Sequence, residues 1–295
     1  MAYFDMFNYP VTRDELILFS TEKMDFLSIN ESLDQLLHEK IIYKSDEFYS
    51  LQNKPQLTER RRDGNKRAAE QLKIAKCVSK ILRWFPFVQA IAISGSLSKN
   101  YAEEKSDIDF FIITSSDRLW IARTCMHIFK KLTYIVGKQN WFCMNYYVDE
   151  MEMEIVEKNA FTAMEIVTLL PVQGIDCFQN FIKANCWATN YFPEQVISIK
   201  GNRKIKKVFI RKWIEKIFQS ALGDATDKWL MNLTDKRWKK KAQQGKVNDH
   251  GKKMGMLTGR HFSKPDPKNF QAKVVQKYER SVKQLIESIE QPVTS

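Results

Sequence analysis

The segment AISGSLSKNYAEEKSDIDFFIIT, residues 92–114, carries the side chains best suited to chemistry. An apolar run delivers Gly95 and Ser96 into a turn, and ten residues then separate Ser96 from Asp107. Glycine has no Cβ, so the backbone at Gly95 can approach a ligand closely. Ser96 adds a hydroxyl, and amides opening the next helical turn can point at phosphate oxygens. Asp107 and Asp109 flank Ile108. On a strand, positions i and i+2 share a face, so the two carboxylates project together while Ile108 packs behind. Paired hard oxygen donors beside phosphates make a magnesium site with room left for water and phosphate oxygens. Two such metals can activate an attacking hydroxyl and stabilise departing pyrophosphate.

Such groups need strands and helices to hold them. FVQAIAIS (Phe87 to Ser94) and IDFFIIT (Ile108 to Thr114) are short apolar runs that read as buried strands. A helix is expected from about Asp117 to Ile135, and a third strand in WFCMNYYV, Trp141 to Val148. After the acidic stretch DEMEMEIVE, Phe161 to Leu170 reads as a helix ended by Pro171, and the chain from about residue 177 is helix-patterned. In the terminal helix, Phe270, Val274, Val275 and Tyr278 form a stripe that reads as core.

The combination of strand, Gly-Ser, short helix and Asp-x-Asp on an apolar strand resembles the DNA polymerase beta-like nucleotidyltransferase superfamily. The resemblance covers Phe87 to about Val148 well and the flanks loosely; the whole chain resembles bacterial proteins that join an N-terminal winged helix to such a domain. It implies an α+β fold: a nucleotidyltransferase-like mixed sheet with helices, flanked by an N-terminal winged-helix module and a C-terminal helical domain. The corresponding units are 1–53 (winged-helix-like), 54–86 (linker helix), 87–175 (nucleotidyltransferase core) and 176–295 (basic helical domain). It further implies that Gly95 and Ser96 hold the triphosphate of an NTP and that Asp107 and Asp109 ligate Mg2+. Lys99 is placed close to the phosphates by position alone.

Two departures stand out. Many members have a glycine a few residues after Gly-Ser, where this chain has Asn100, a residue that tolerates a left-handed backbone. The superfamily also supplies a third carboxylate from a later strand, and the matching strand has Asn145 at its centre. An amide can orient water but takes no proton at neutral pH. Glu154, or else Glu152, is the candidate substitute, and both read equally well as a solvated edge. The expected activity is nucleoside monophosphate transfer to an undefined acceptor, with a non-catalytic nucleotide sensor or nucleic-acid-binding regulator as the alternative. Arg118 and Arg123 are within reach of a phosphate if their helix starts near it, although partnership with Asp117 is the simpler reading.

In the first 51 residues, Thr12 with Glu15 and Ser28 with Glu31 fit capping boxes, Ile29, Leu33, Leu36 and Leu37 form one apolar face, and IIYKSDEFYSL reads as a hairpin. The helix from Ser28 to Lys40 carries Glu31, Asp34 and Glu39 against Lys40, which disfavours DNA contact and favours a structural or protein-contacting role. Residues 54–84 read as a long helix with Arg60, Arg61 and Arg62 on a solvated face.

The 295 residues carry a net charge of +12, distributed unevenly. Residues 1–51 contain ten acidic and four basic side chains, whereas residues 201–295 contain nine and 23. The basic end suits a phosphate-rich partner such as a nucleic acid or another polyanion. A glycine-rich phosphate loop and a Gly-x-Ser-x-Gly elbow are both missing from the sequence. Four scattered histidines and five cysteines without a Cys-x-x-Cys point away from a zinc site and from disulfides, so a reducing cytoplasm is expected. No apolar run is long enough to span a bilayer and no secretory leader is evident, so no membrane partner is expected.

Overall fold

The computed structural model describes residues 1–23, 26–195, 202, 205, 209–245, 255–265 and 270–290. The N-terminal module comprises α1 (Ala2–Asp5), β1 (Val11–Thr12), α2 (Arg13–Leu18), α3 (Phe26–His38), β2 (Tyr43–Ser45) and β3 (Phe48–Ser50). Its three strands form an antiparallel sheet in the order β1-β3-β2. Thr12 and Glu15 make the expected capping box, each side chain accepting from the other's backbone amide. Ser28 does not cap a helix: α3 already starts at Phe26, and Ser28 offers its carbonyl to the Ser32 hydroxyl instead. Ile29 and Leu33 are buried, with Leu36 and Leu37 packed alongside.

The linker helix α4 (Gln56–Leu82) is present as one continuous helix, but the arginines at its start are not simply solvated. Arg61 is buried, paired with Glu15 and seated 3.7 Å from the Tyr9 ring centroid. Arg60 donates to the carbonyls of Phe7 and Asn8. A planar guanidinium can serve several acceptors and an aromatic face together, which a solvated-face pattern cannot reveal. Arg61→Ala is expected to cost about 1–3 kcal/mol in chemical denaturation. The loss stays below that of a fully paired buried ion because Nε and Nη1 of Arg61 lack hydrogen-bond partners among the described residues and Glu15 keeps Thr12 and Tyr9.

The central sheet is built by β4 (Val88–Ile93), β5 (Asp109–Thr114), β6 (Cys143–Asp149), β7 (Leu170–Gln173), β8 (Met256–Thr258) and β9 (Phe262–Pro265), in the order β7-β4-β5-β6-β9-β8. Among the paired strands of this sheet β5 and β6 run parallel, and α6 (Leu119–Thr133) lies in the crossover between them, while α5 (Gly95–Ser98) is a single turn between β4 and β5; the other strand pairs are antiparallel. Alternate side chains divide the core. Ala92, Phe111, Ile113 and Val148 face the N-terminal module, α7 (Ala160–Val167) and α8 (Ile175–Ala184). Ile91, Ile93, Phe110 and Ile112 face α4 and α6.

Pro171 ends no helix. It lies within β7, an edge strand, where a missing N–H costs the sheet least. Beyond residue 177 the helical expectation also needs correction. Besides α9 (Phe209–Ile217), α10 (Ala221–Gln243) and α11 (Phe270–Glu290), this region supplies β8 and β9, which extend the central sheet next to β6. Both strands are too short for a period to register in sequence. Val274 is buried and Tyr278 packs on the core, as the terminal stripe predicts.

Candidate active site

The end of β4 and the start of β5 lie side by side, with the Ser94 amide donating to the Asp109 carbonyl at 3.0 Å. Gly95 has φ +69°, and a Cβ there would sit 2.7 Å from Oδ2 of Asp109. Glycine is therefore required twice, by backbone conformation and by the close approach of a carboxylate. Asn100 does adopt a left-handed backbone, with φ 56°. Gly95→Ala should displace the Asp109 side chain, lowering turnover at least about 30-fold with a stability loss of about 1–3 kcal/mol, measured by transfer assay and denaturation.

Asp109 is half-buried at the first position of β5. Burial raises its carboxyl to about 7, the thiol of Cys143 holds it down by a hydrogen bond, the negative charges of Asp107 and Glu165 raise it, and Lys130 lowers it. Asp107 lies before β5, not on it as expected from the sequence, and acts on Asp109 through its charge. Cys143 stands opposite Asp109 in the parallel β5–β6 register. Burial, followed by the charge of Asp109, pushes its thiol well up, so it stays a neutral donor.

Lys99 crosses the turn. Its Nζ donates to the Gly95 carbonyl at 3.2 Å and to Oε1 of Glu165 on α7 at 2.7 Å. Its own carbonyl accepts from the Tyr9 hydroxyl at 2.7 Å, which ties the N-terminal module to the turn. Ser96 is exposed at the beginning of α5, whose N-terminus no side chain caps.

The nucleotidyltransferase-domain family matches residues 73–222, from the second half of α4 to the start of α10. The chain belongs to that family. No curated protein and no solved structure matches it.

Other residues expected in the site of this nucleotidyltransferase domain have partners of their own or an irregular setting. Asn145 falls at the irregularity where Phe110 pairs with Met144 and Phe111 with Tyr146, so the extra residue breaks the alternation that pointed to it. Glu154 is exposed and ion-paired with Lys158 at 2.6 Å, and Glu152 lies 4.0 Å from His261. Arg118 is buried and holds the start of α10 through Asp224 and the Phe218 carbonyl, both at 2.6 Å. Arg123 is also buried, over the Trp120 ring. Glu165, Cys143 and Lys130 are the residues that sequence reasoning missed around Asp109. They reach it from α7, β6 and α6, and no spacing within one segment encodes that convergence.

A second group of ligand-type atoms exists. Asp117, Asp149 and His261 each offer one atom, all within 4.8 Å of one another, although the scattered histidines pointed to no such cluster. It stands at the far ends of β5 and β6, roughly 17 Å along the strands from Asp109. Asp149 is fully buried and already accepts from the amides of Asp117 and Met151 and lies 2.9 Å from His261 Nδ1. Asp117 takes Arg260 at 2.7 Å. By contrast, the Asp109 carboxyl is raised by burial and by the charges of Asp107 and Glu165.

Proposed function

We propose that this nucleotidyltransferase is metal-dependent and moves a nucleoside monophosphate from an NTP to an acceptor hydroxyl or phosphate. The carrying observation is the Asp109 carboxyl against Gly95, raised to about 7 by burial and by its acidic neighbours, which a cation would relieve. Asp107 and Asp109 would hold Mg2+, which when bound supplies charge neutralisation for the triphosphate and the departing pyrophosphate. Gly95 and Ser96 let the phosphates approach the backbone, and Lys99 and Lys130 offer cationic charge on either side. Glu165, in place of Glu154, is the third carboxylate in this reading. An acceptor oxygen attacks the α-phosphorus, the bond to the β-phosphate oxygen breaks, and pyrophosphate leaves with the electron pair. The acceptor proton passes to a carboxylate of the cluster, with Glu165 the candidate once Lys99 turns to the phosphates.

The basic C-terminal region favours a nucleic acid or another polyanion as acceptor. The order α1-β1-α2-α3-β2-β3 supports reading the N-terminal module as a winged helix, and the acidic residues Glu31 and Asp34 on α3 and Glu39 just after it favour a protein contact over DNA.

Incubation with each labelled NTP and magnesium, with and without RNA, DNA or cell extract, tests the reading. Label transfer that requires magnesium supports it. One observation favours the alternative of a nucleotide sensor: a neutral thiol, Cys143, occupies the strand position beside Asp109. Magnesium-dependent nucleotide binding without release of pyrophosphate in any mixture would select the sensor.

A further inference from the structure

Helix α9 is mounted with its apolar side outward. Phe209, Trp213 and Ile217 recur every four residues and are 73%, 59% and 52% exposed. The opposite side of the helix buries Arg211 and Glu215. This orientation is held by four directed bonds. Arg211 donates to Glu215 at 2.7 Å and to the carbonyls of Arg83 and Val88 at 2.7 and 2.6 Å, while Glu215 accepts the Phe87 amide at 2.8 Å. The next helix shares part of the arrangement. On α10, Gly223 and Asp227 are buried, Asp227 accepting the Ile121 amide at 2.8 Å, whereas Leu222, Trp229 and Leu233 point to solvent. On α10, Leu230 and Met231 pack inward on the core, so Leu222, Trp229 and Leu233 are additional large apolar side chains left exposed among polar ones, while α9 is the helix whose charged pair is inward and whose aromatic stripe is outward.

The borders of this face are cationic. Lys212 and Lys216 flank the α9 stripe, and Lys228, Lys236, Arg237, Lys239 and Lys240 are exposed along α10. Self-association through the same patch on two copies would bring these like charges together. Base stacking would use the tryptophans and Phe209 but gains nothing from Ile217, Leu222 and Leu233. A bilayer rich in anionic lipid matches every part: aliphatic and aromatic side chains enter the headgroup–acyl boundary while lysines meet phosphates. No helix among the described residues is long and apolar enough to cross a membrane, so such contact is peripheral.

We propose that the α9–α10 face binds the surface of anionic phospholipid bilayers. The test is co-sedimentation of the full-length protein with phosphatidylcholine vesicles containing about one quarter phosphatidylglycerol, read together with tryptophan emission. Binding with a blue shift is expected, weaker by about tenfold or more on phosphatidylcholine alone and at high salt. Trp213→Ser combined with Trp229→Ser should weaken it at least about tenfold without lowering Tm, because both side chains are exposed in the free protein. Lys212→Glu with Lys216→Glu should do the same while keeping every apolar group. Failure to bind anionic vesicles, or undiminished binding by both double variants, overturns the proposal. So does a dimer, or an RNA complex, that the tryptophan double variant abolishes when wild-type protein ignores vesicles.

Discussion

Asp109→Asn should reduce nucleotidyl transfer by at least about a thousandfold and, in the same preparation, make the metal-free protein more stable at pH 8. The first effect follows from the proposed role of Asp109 in holding a metal beside the Gly95 turn. The second follows from linkage. The folded Asp109 carboxyl titrates at about 7, above its ordinary value of 3.8. A group raised on folding contributes most favourably below its unfolded pKa, and that contribution is lost as pH climbs through the folded one. The metal-free wild type should therefore lose stability between about pH 4 and pH 7, by about 3 kcal/mol after allowing for the partial exposure of the carboxyl. Magnesium should restore part of it at pH 8 in wild type and none of it in the variant. Thermal melts across pH, with and without the cation, check all three statements. A variant that loses stability at pH 8 would show that the carboxylate serves the fold, and the metal reading would fail. Asp107→Asn should share the activity loss.

Arg211→Ala should unfold readily, with a loss of about 3–5 kcal/mol by chemical denaturation. The substitution leaves the buried Glu215 without its cation and orphans the carbonyls of Arg83 and Val88, which Arg211 serves. Replacing the pair together, Arg211→Met with Glu215→Leu, should recover only part of the loss. In many buried pairs such a replacement is nearly neutral, but here the Phe87 amide and both carbonyls would stay unsatisfied. Full recovery in the double variant would show that those backbone bonds contribute little. The measurement also tests the mount of α9, because a helix released from this clamp is free to turn its apolar stripe inward.

The readable parts of the chain were those in which a local period or spacing carries the information. The alternating burial of β4 and β5, the long helix α4, the Thr12–Glu15 cap and the hairpin at residues 43–50 all belong to that class. So does the meeting of Gly95 with Asp109: Gly95 follows the end of β4 and Asp109 opens the antiparallel β5, and the return of the chain over thirteen intervening residues brings them together. Membership of the nucleotidyltransferase family follows from the same segment and its surroundings.

Other features depend on which elements meet. Glu165 joins the site because α7 packs over the turn, and Lys99 reaches it across 66 residues of sequence. Cys143 stands opposite Asp109 because the irregularity between Phe110 and Phe111 moves the pairing by one residue from the Met144 that the rest of the strand would place there. Asp117, Asp149 and His261 gather only when β9 closes on β6.

Sequence alone determined the Gly-Ser and Asp-x-Asp segment, its strands and the stripe of the terminal helix with Val274 and Tyr278, since backbone period and short spacings fix which side chains share a face. Tertiary structure alone decided which face turns inward. For α9 the answer runs against hydrophobicity, because Arg211 and Glu215 find a fully bonded seat beneath the helix and the aromatic stripe is left to solvent.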